Sequence, residues 1–475
     1  MAAPMSRPEP AKPDAAPASL RFILQISCSA ALGGFLFGYD TAVINGAVNT
    51  IQQVFHTTPW HLGLAVASAL LGSAAGALSA GWLADRIGRR SSMQLAAVLF
   101  LASAVGSGLA PSLAQLVVWR VLGGIAVGFA SVLAPAYIAE VSPAHLRGRT
   151  GSLQQLAIVI GIFLALLFDY LIVMATADGR AISTVGPLPA WRWMLLSESA
   201  PALLYGVLVL GIPESPRYLV LKGKFDQARQ VIQRTLGGDA EAVVQRIAAS
   251  LGHRHRSRLS DLFARRGLLL PVVWCGVLLA IFQQFVGINV IFYYSSTLWE
   301  SVGLSTADSL VVTVITSITN VITTFIAIGC IDRFGRKPLL LLGSAAMTLS
   351  LGTMSWVFAA APMHAGAPQL SGAGALTALI AANLFVFSFG FSWGPVMWVM
   401  LGEMFNNRIR ALALGLSATV NWLANFLIST TFPVLLSSFG PALAYGLYAT
   451  AAAISFVFVV LMVRETRGKE LEEMV

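Results

Sequence analysis

The sequence predicts an all-α membrane protein whose twelve transmembrane helices form two pseudo-symmetric six-helix bundles. Three observations carry that prediction. The chain has 475 residues, of which 57% are hydrophobic and 11% charged, with a mean hydropathy of +0.77; soluble globular domains do not have this composition. Apolar runs long enough to cross about 30 Å of hydrocarbon recur along it. Twelve are discernible, at roughly 22–48, 61–83, 93–110, 114–137, 151–174, 192–212, 268–297, 309–331, 338–360, 374–401, 410–435 and 441–463. Finally, short polar landmarks recur in register between the first six runs and the last six.

In chain order, residues 1–20 are rich in Ala and Pro without an apolar core, and read as a disordered cytoplasmic tail, not a cleaved signal. The first bundle occupies 21–212. A polar, Arg-rich linker follows at 213–266, with helix-like stretches around 225–236 and 240–251. The second bundle covers 267–463, and 464–475 form a cytoplasmic tail. Of 30 Lys and Arg, all but Arg120, Arg192 and Arg180 fall in the tails and in alternate loops assigned to the inside. This positive-inside bias puts both termini in the cytoplasm of an inner membrane. It also explains the net charge of +9 without nucleic acid. Cys28, Cys275 and Cys330 lie in apolar runs and suggest neither a disulfide framework nor a zinc site. No Gly-x4-Gly-Lys-[Ser/Thr] loop occurs, which argues against direct ATP drive. No metal-ligand cluster or nucleophile–base pair points to an enzyme, and no cofactor or metal is expected.

The landmarks sit at cytoplasmic helix ends. Asp85, Arg89 and Arg90 follow the second run; Asp332, Arg333, Arg336 and Lys337 follow the eighth. Glu140, Arg147 and Arg149 follow the fourth, and Glu403 and Arg410 the tenth. Glu214 and Arg217 follow the sixth, and Glu465 the twelfth. Carboxylates and guanidiniums here can pair with neighbouring helix termini and hold one packing arrangement until the pairs break. Any single landmark is also explicable as topogenic charge; matched recurrence favours a cytoplasmic latch.

The seventh run holds the strongest binding signal. Gln283, Gln284 and Asn289 stand within seven positions, with Tyr293 a turn beyond. At about 100° per residue on one continuous helix they line one face. An unpaired carboxamide in hydrocarbon costs several kcal/mol, so this uncharged stripe asks for partners. A neutral polyhydroxylated ligand would supply them, although amides also glue membrane helices together.

Three charged residues of the first bundle bear on energy coupling: Asp40, Arg120 and Glu198. At 1.5 Å per residue, Asp40 lies about 27 Å along its run from inside, while Arg120 and Glu198 lie about 12 and 10 Å down from outside. All three thus belong to the outer half of the bilayer. A carboxylate beside a guanidinium stays ionised, and loss of that partner favours protonation. A pairing that changes with conformation is therefore a proton switch; a fixed one is only a packing device.

On these residues the chain resembles the sugar porter family of the major facilitator superfamily, which includes facilitative glucose carriers and proton-coupled hexose, xylose and arabinose symporters. The resemblance runs from Phe22 to Glu473 and rests on 81–90, Arg120, 140–149, 154–155, 213–217, 283–294, 332–337, 393–403 and 465–469. It implies the major facilitator fold and a monosaccharide held near the midplane. Carried over by position, sugar contacts are expected from Gln155, Gln283, Gln284, Asn289, Asn320 and Trp398, with Asn421 or Trp422 as further candidates; Tyr293 joins them from the stripe on the seventh run. An indole would offer its apolar plane to the sugar ring. The Trp393-Gly394-Pro395 step is expected to interrupt the tenth run. In the resembling symporters an Asp and an Arg occupy the Asp40 and Arg120 positions, and an acidic residue that of Glu198. Proton-coupled import is therefore expected, with facilitative uniport or a non-transporting sugar sensor as alternatives. Three departures stand out: Ile162 where xylose symporters carry a glutamine, Gly390 for an acidic residue of the facilitative carriers, and Arg464 for a usual Pro. The expected partners are a monosaccharide, a proton and membrane lipid, with the chain acting as a monomer.

Overall fold

The computed structural model describes residues 20–143, 146–236, 239–252, 259–263, 268–364, 367–370, 372–405 and 409–465. The tails expected at 1–20 and 464–475 fall largely outside the described residues, as do the side chains of Arg147, Arg149, Asp332 and Arg410. Eleven helical segments are long and apolar enough to cross a membrane. The last, Arg410–Met462, has 53 residues and is broken at Gly440 (φ +77°). At 1.5 Å per residue it would extend about 80 Å, more than twice the hydrocarbon thickness. It therefore supplies spans 11 and 12, and the fold has twelve.

Span 1 (Leu20–Ala42) continues through a 3₁₀ turn (Asn45–Ala47) into a short helix (Val48–Val54). Spans 2 to 5 are Pro59–Ile87, Arg89–Leu109, Leu113–Val141 and Arg147–Met174. Span 8 is Thr306–Phe334 and span 9 Arg336–Ala359. Thr58, Ser112 and Ser305 cap spans 2, 4 and 8, their side-chain oxygens accepting from the N–H groups of His61, Gln115 and Asp308. Between spans 6 and 7 lie helices Pro216–Leu221, Phe225–Thr235 and Ala240–Gly252, which share a small core of Leu219, Val220, Ala228, Ile232, Ala240 and Val244.

The internal repeat is visible in the backbone. Gly88 joins spans 2 and 3 at φ +97°, ψ 164°, and Gly335 joins spans 8 and 9 at φ +85°, ψ 166°. Only glycine adopts this region cheaply, so the landmark needs its glycine for the turn itself. Within the halves, span 2 packs on span 4 and span 1 on span 5; between them, span 2 meets the Arg410–Met462 run and span 5 meets span 8. Large apolar side chains face outward, Leu349 at 72% and Leu461 at 77% exposure among them. In water such a belt would be costly; against acyl chains it is not.

Three spans are broken. Span 6 divides into Ala190–Ser197 and Ser199–Gly211 about Glu198. Span 10 divides into Gly372–Phe391 and Trp393–Glu403, with Ser392 at φ −123°, ψ −92°; the interruption expected at Trp393 thus falls one residue earlier. Span 7 divides into Pro271–Phe285 and Ile288–Ser301 about Gly287, which is left-handed at φ +83°. This break corrects the continuous-helix reading of 283–294: the 100° argument holds only up to Phe285.

Candidate functional site

The break in span 7 gathers amides that a straight helix would have separated. Asn289 Nδ2 donates to Gln284 Oε1 at 2.6 Å. Gln284 Nε2 donates to Gln283 Oε1 (3.2 Å) and to Asn421 Oδ1 (3.1 Å) on span 11. Asn421 Nδ2 returns a bond to Gln283 Oε1 (2.7 Å) and another to the Ala280 carbonyl (3.0 Å). Gln283 Nε2 reaches the carbonyls of Trp393 and Gly394, both at 3.3 Å, where span 10 is broken. Four carboxamides from spans 7 and 11 thus satisfy one another at a site walled by span 10. Gln283, Gln284 and Asn421 are buried; Asn289 is half-buried. Gly287 makes this possible, since a Cβ there would come within 2.7 Å of the Tyr448 ring.

The other expected sugar contacts do not join this network. Tyr293 is buried, and its hydroxyl accepts from Asn425 Nδ2 at 3.5 Å. Asn425, one turn after Asn421, is a polar partner that the sequence reading missed; its i+4 spacing was the available signal. Trp422 is buried and tilts against Phe37 of span 1 with ring centroids 5.6 Å apart, a contact between the halves. Asn320 is buried, and its Oδ1 lies 3.5 Å from where a Cβ on Gly390 would stand. Gln155 is half-buried on span 5, and Trp398 is 40% exposed.

In the first half, Arg120 Nη1 donates to Asp40 Oδ1 and to the Asp40 carbonyl, both at 3.0 Å, with each residue buried. Glu198, at the break in span 6, is buried within hydrogen-bonding reach of the Asp40 carboxyl. The three groups estimated by depth alone do meet. Asp40 Oδ2, Arg120 Nε and Glu198 Oε1 keep no partner among the described residues. Nearby, the Tyr39 and Ser197 hydroxyls lie 2.6 Å apart. The sequence reading counted three charged groups within the spans of this half and overlooked a fourth, Asp169 on span 5, which is fully buried. A carboxylate inside an apolar run was itself the missed signal.

At the cytoplasmic ends, the two halves repeat one arrangement. Arg89 pairs with Asp85 (3.1 Å) and Glu140 (3.2 Å), as Arg336 pairs with Glu403 (2.9 Å). Glu214 accepts from the backbone N–H groups of Arg89 (2.9 Å) and Arg90 (3.3 Å) at the start of span 3. Glu465 does the same for Arg336 (3.0 Å) and Lys337 (2.9 Å) at span 9. A carboxylate at a helix N-terminus meets unsatisfied donors and the positive end of the dipole. Burial pushes the Glu214 carboxyl up from its usual range, opposed by the N–H groups of Ser215, Arg90 and Arg89 and by the Arg89 charge. The Ser215 hydroxyl closes onto Glu140, and its Oγ caps the N–H of Arg217 (3.2 Å). Arg90 donates to the Leu210 carbonyl, and Arg333 is exposed. Each of these bonds stays within its own half.

At the opposite end the halves are joined. Asn45 Nδ2 donates to the Phe292 carbonyl (3.0 Å), while the Ser296 hydroxyl donates to the Asn45 carbonyl (2.8 Å). Ser296 N–H donates to Asn45 Oδ1 (3.3 Å). One turn on, Asn49 accepts from Thr297 (2.8 Å) and donates to Glu300 (2.5 Å). This closed gate between spans 1 and 7 was not anticipated, although Asn45 and Asn49 stand i, i+4 where span 1 ends.

The profile of the family described as "Sugar (and other) transporter" matches residues 26–475. The "Glucose transport protein" of Synechocystis sp. is 57% identical over 462 residues, covering 97% of this chain and 99% of that protein. The "D-xylose-proton symporter" of Escherichia coli is 38% identical over 487 residues, covering 95% of each. The inward-open structure of the xylose transporter XylE from E. coli superposes with a TM-score of 0.80 at 36% identity, covering 95% of this chain and 99% of that one.

Proposed function

The chain belongs to the sugar transporter family, and from that premise we propose that it imports a neutral monosaccharide together with a proton by alternating access. The observation that carries the sugar half is the closed ring of amides at Gln283, Gln284 and Asn421, with Asn289 bonded onto it at Gln284. Each amide–amide bond has a sugar-hydroxyl equivalent, because a hydroxyl both donates and accepts. Sugar enters by exchanging these bonds one for one, and no buried amide is stranded at any stage. Trp422 and Trp398 offer apolar planes, while Gln155, Asn320 and Tyr293 complete the lining as the halves close.

The proton half rests on two carboxyls sharing one guanidinium. Asp40, Glu198 and Arg120 are together electroneutral only with one proton aboard. Hydrocarbon charges about 2.5–3.5 kcal/mol for each unbalanced charge on insertion scales, so the cluster favours that state. The proton is carried where conformational change loosens the Arg120–Asp40 contact. Both termini face the cytoplasm, and the paired Arg89–Glu140 and Arg336–Glu403 sets hold the inner ends of each half as a rigid unit during rocking. The chain works as a monomer embedded in lipid. The experiment is sugar addition to energised vesicles: the medium should become alkaline, and a protonophore should abolish concentrative uptake. Uptake insensitive to the protonophore would instead mark a facilitative carrier.

A further inference from the structure

Asp169 lies outside the proton cluster just described, yet it sits directly behind the closed outer gate. Its Oδ2 accepts the Gly46 N–H at 3.1 Å, and its Oδ1 has no partner among the described residues. No described cation pairs with it. Gly46 is the middle residue of the 3₁₀ turn Asn45–Ala47, and a Cβ on it would stand 2.9 Å from the Asp169 carboxyl and 2.9 Å from Met194 Sδ. Only glycine lets the turn seat on this carboxyl. The preceding residue, Asn45, makes the three hydrogen bonds that join span 1 to span 7. Seating the turn and closing the gate are therefore one event.

We propose that Asp169 is a gate-coupled proton acceptor: it takes a proton from outer water as the Asn45–Ala47 turn seats against it, and returns it when the turn lifts. This rests on the proton-coupled reading above and adds a second carboxyl to it. With the gate open, water solvates both oxygens and the carboxylate persists. With the gate closed, one oxygen has a single N–H and the other has nothing, and an unpaired charge in such a place is disfavoured. A proton on Oδ1 removes the charge and leaves Oδ2 free to keep the Gly46 bond. Charged and titratable groups on the packed elements do not replace that proton. From span 1 the facing group is the neutral Tyr39 hydroxyl, on which the charge of Glu198 of span 6 also acts. Arg120 of span 4 is held by Asp40, and Arg192 of span 6 donates to the Gly108 and Ala110 carbonyls. Asp308 of span 8 is exposed and bonded to Ser305.

The test is hydrogen–deuterium exchange of the full chain in nanodiscs, following the amides of residues 43–50 with rates corrected for intrinsic pH dependence. One linked proton predicts that protection falls by up to about tenfold per pH unit as pH rises. Asp169→Asn, which keeps the acceptor but never ionises, should hold the low-pH protection at every pH. Gly46→Ala should show low protection throughout, and Asp40→Asn should keep the wild-type slope. A pH-independent wild type, or an unchanged slope in either Asp169→Asn or Gly46→Ala, overturns the proposal. Sugar-driven alkalinisation by wild-type vesicles is read separately, so failure of the coupling reading is distinguishable from failure at Asp169.

Discussion

Replacing Gln284 with Ala tests the sugar site most directly. Gln284 is the hub of the amide ring, donating to Gln283 and Asn421 and accepting from Asn289. Its removal leaves Gln283 and Asn421 bonded to each other at 2.7 Å, with Asn421 also on the Ala280 carbonyl, so spans 7 and 11 stay joined. The loss therefore falls on ligand binding. A side chain with two donors and an acceptor makes about two hydroxyl contacts at about 0.5–1.5 kcal/mol each. That is about 1–3 kcal/mol, or roughly 5- to 150-fold in affinity at 1.4 kcal/mol per decade. Because Asn289 bonds Gln284 at 2.6 Å, Gln284→Ala and Asn289→Ala should be non-additive by about 0.5 kcal/mol or more. The assay is sugar counterflow in proteoliposomes, with half-saturation read for each single variant and the double variant. A change below twofold in the double variant would refute the reasoning, because a hub in contact with substrate cannot be silent.

Three further outcomes follow from the geometry. Asp40→Asn keeps an acceptor for Arg120 but cannot carry a proton, so counterflow should persist while accumulation collapses; at 100 mV the forfeited drive is about 2.3 kcal/mol, roughly fifty-fold in concentration ratio. Asn45→Ala removes two side-chain bonds to span 7, worth about 1–3 kcal/mol together, and should raise labelling of an outer-cavity cysteine from outside. Gly287→Ala places a Cβ in the left-handed region and against Tyr448; about 1–2 kcal/mol of backbone strain plus the clash should lower the melting temperature of detergent-solubilised protein and weaken sugar binding.

The fold was legible because membrane crossing leaves so few solutions. Length, apolarity and the placement of Lys and Arg set twelve spans, and matched landmarks such as Gly88 and Gly335 reveal the repeat. Clustering of Asp40, Arg120 and Glu198 followed from depth alone, since buried charges must find one another. The breaks were harder. Val286-Gly287-Ile288 looks unremarkable by composition, and the ring that leaves no room for a Cβ at Gly287 belongs to Tyr448, 161 positions away. Without the break, Asn289 and Gln284 would not bond. The outer gate was illegible for a related reason: the Asn45 side chain is satisfied by the backbone carbonyl of Phe292 and the backbone N–H of Ser296, groups with no side-chain signature of pairing.

The helix Ile288–Ser301 links these parts physically. Its first turn carries Asn289, which faces the amide ring, and its later turns carry Phe292, Ser296, Thr297 and Glu300, which close the outer gate on Asn45 and Asn49. Gly287, left-handed at φ +83°, separates this segment from the helix Pro271–Phe285 before it. A sugar that draws on Asn289 therefore acts on the same short segment as the gate, across its kink at Tyr294 (φ −129°, ψ 16°), while the gate's other side rests on the buried carboxyl of Asp169. Coupling then needs no long pathway: sugar biases this segment from the second half, and protons bias its counterpart from the first. A shift of the gate from one part in a hundred to ninety-nine would take about 5.5 kcal/mol of differential binding. Two ligands meeting at one seam can share it, each supplying the few kcal/mol that a pair of hydrogen bonds or one neutralised charge provides. Neither ligand alone would then move the gate fully, which is the condition for stoichiometric symport.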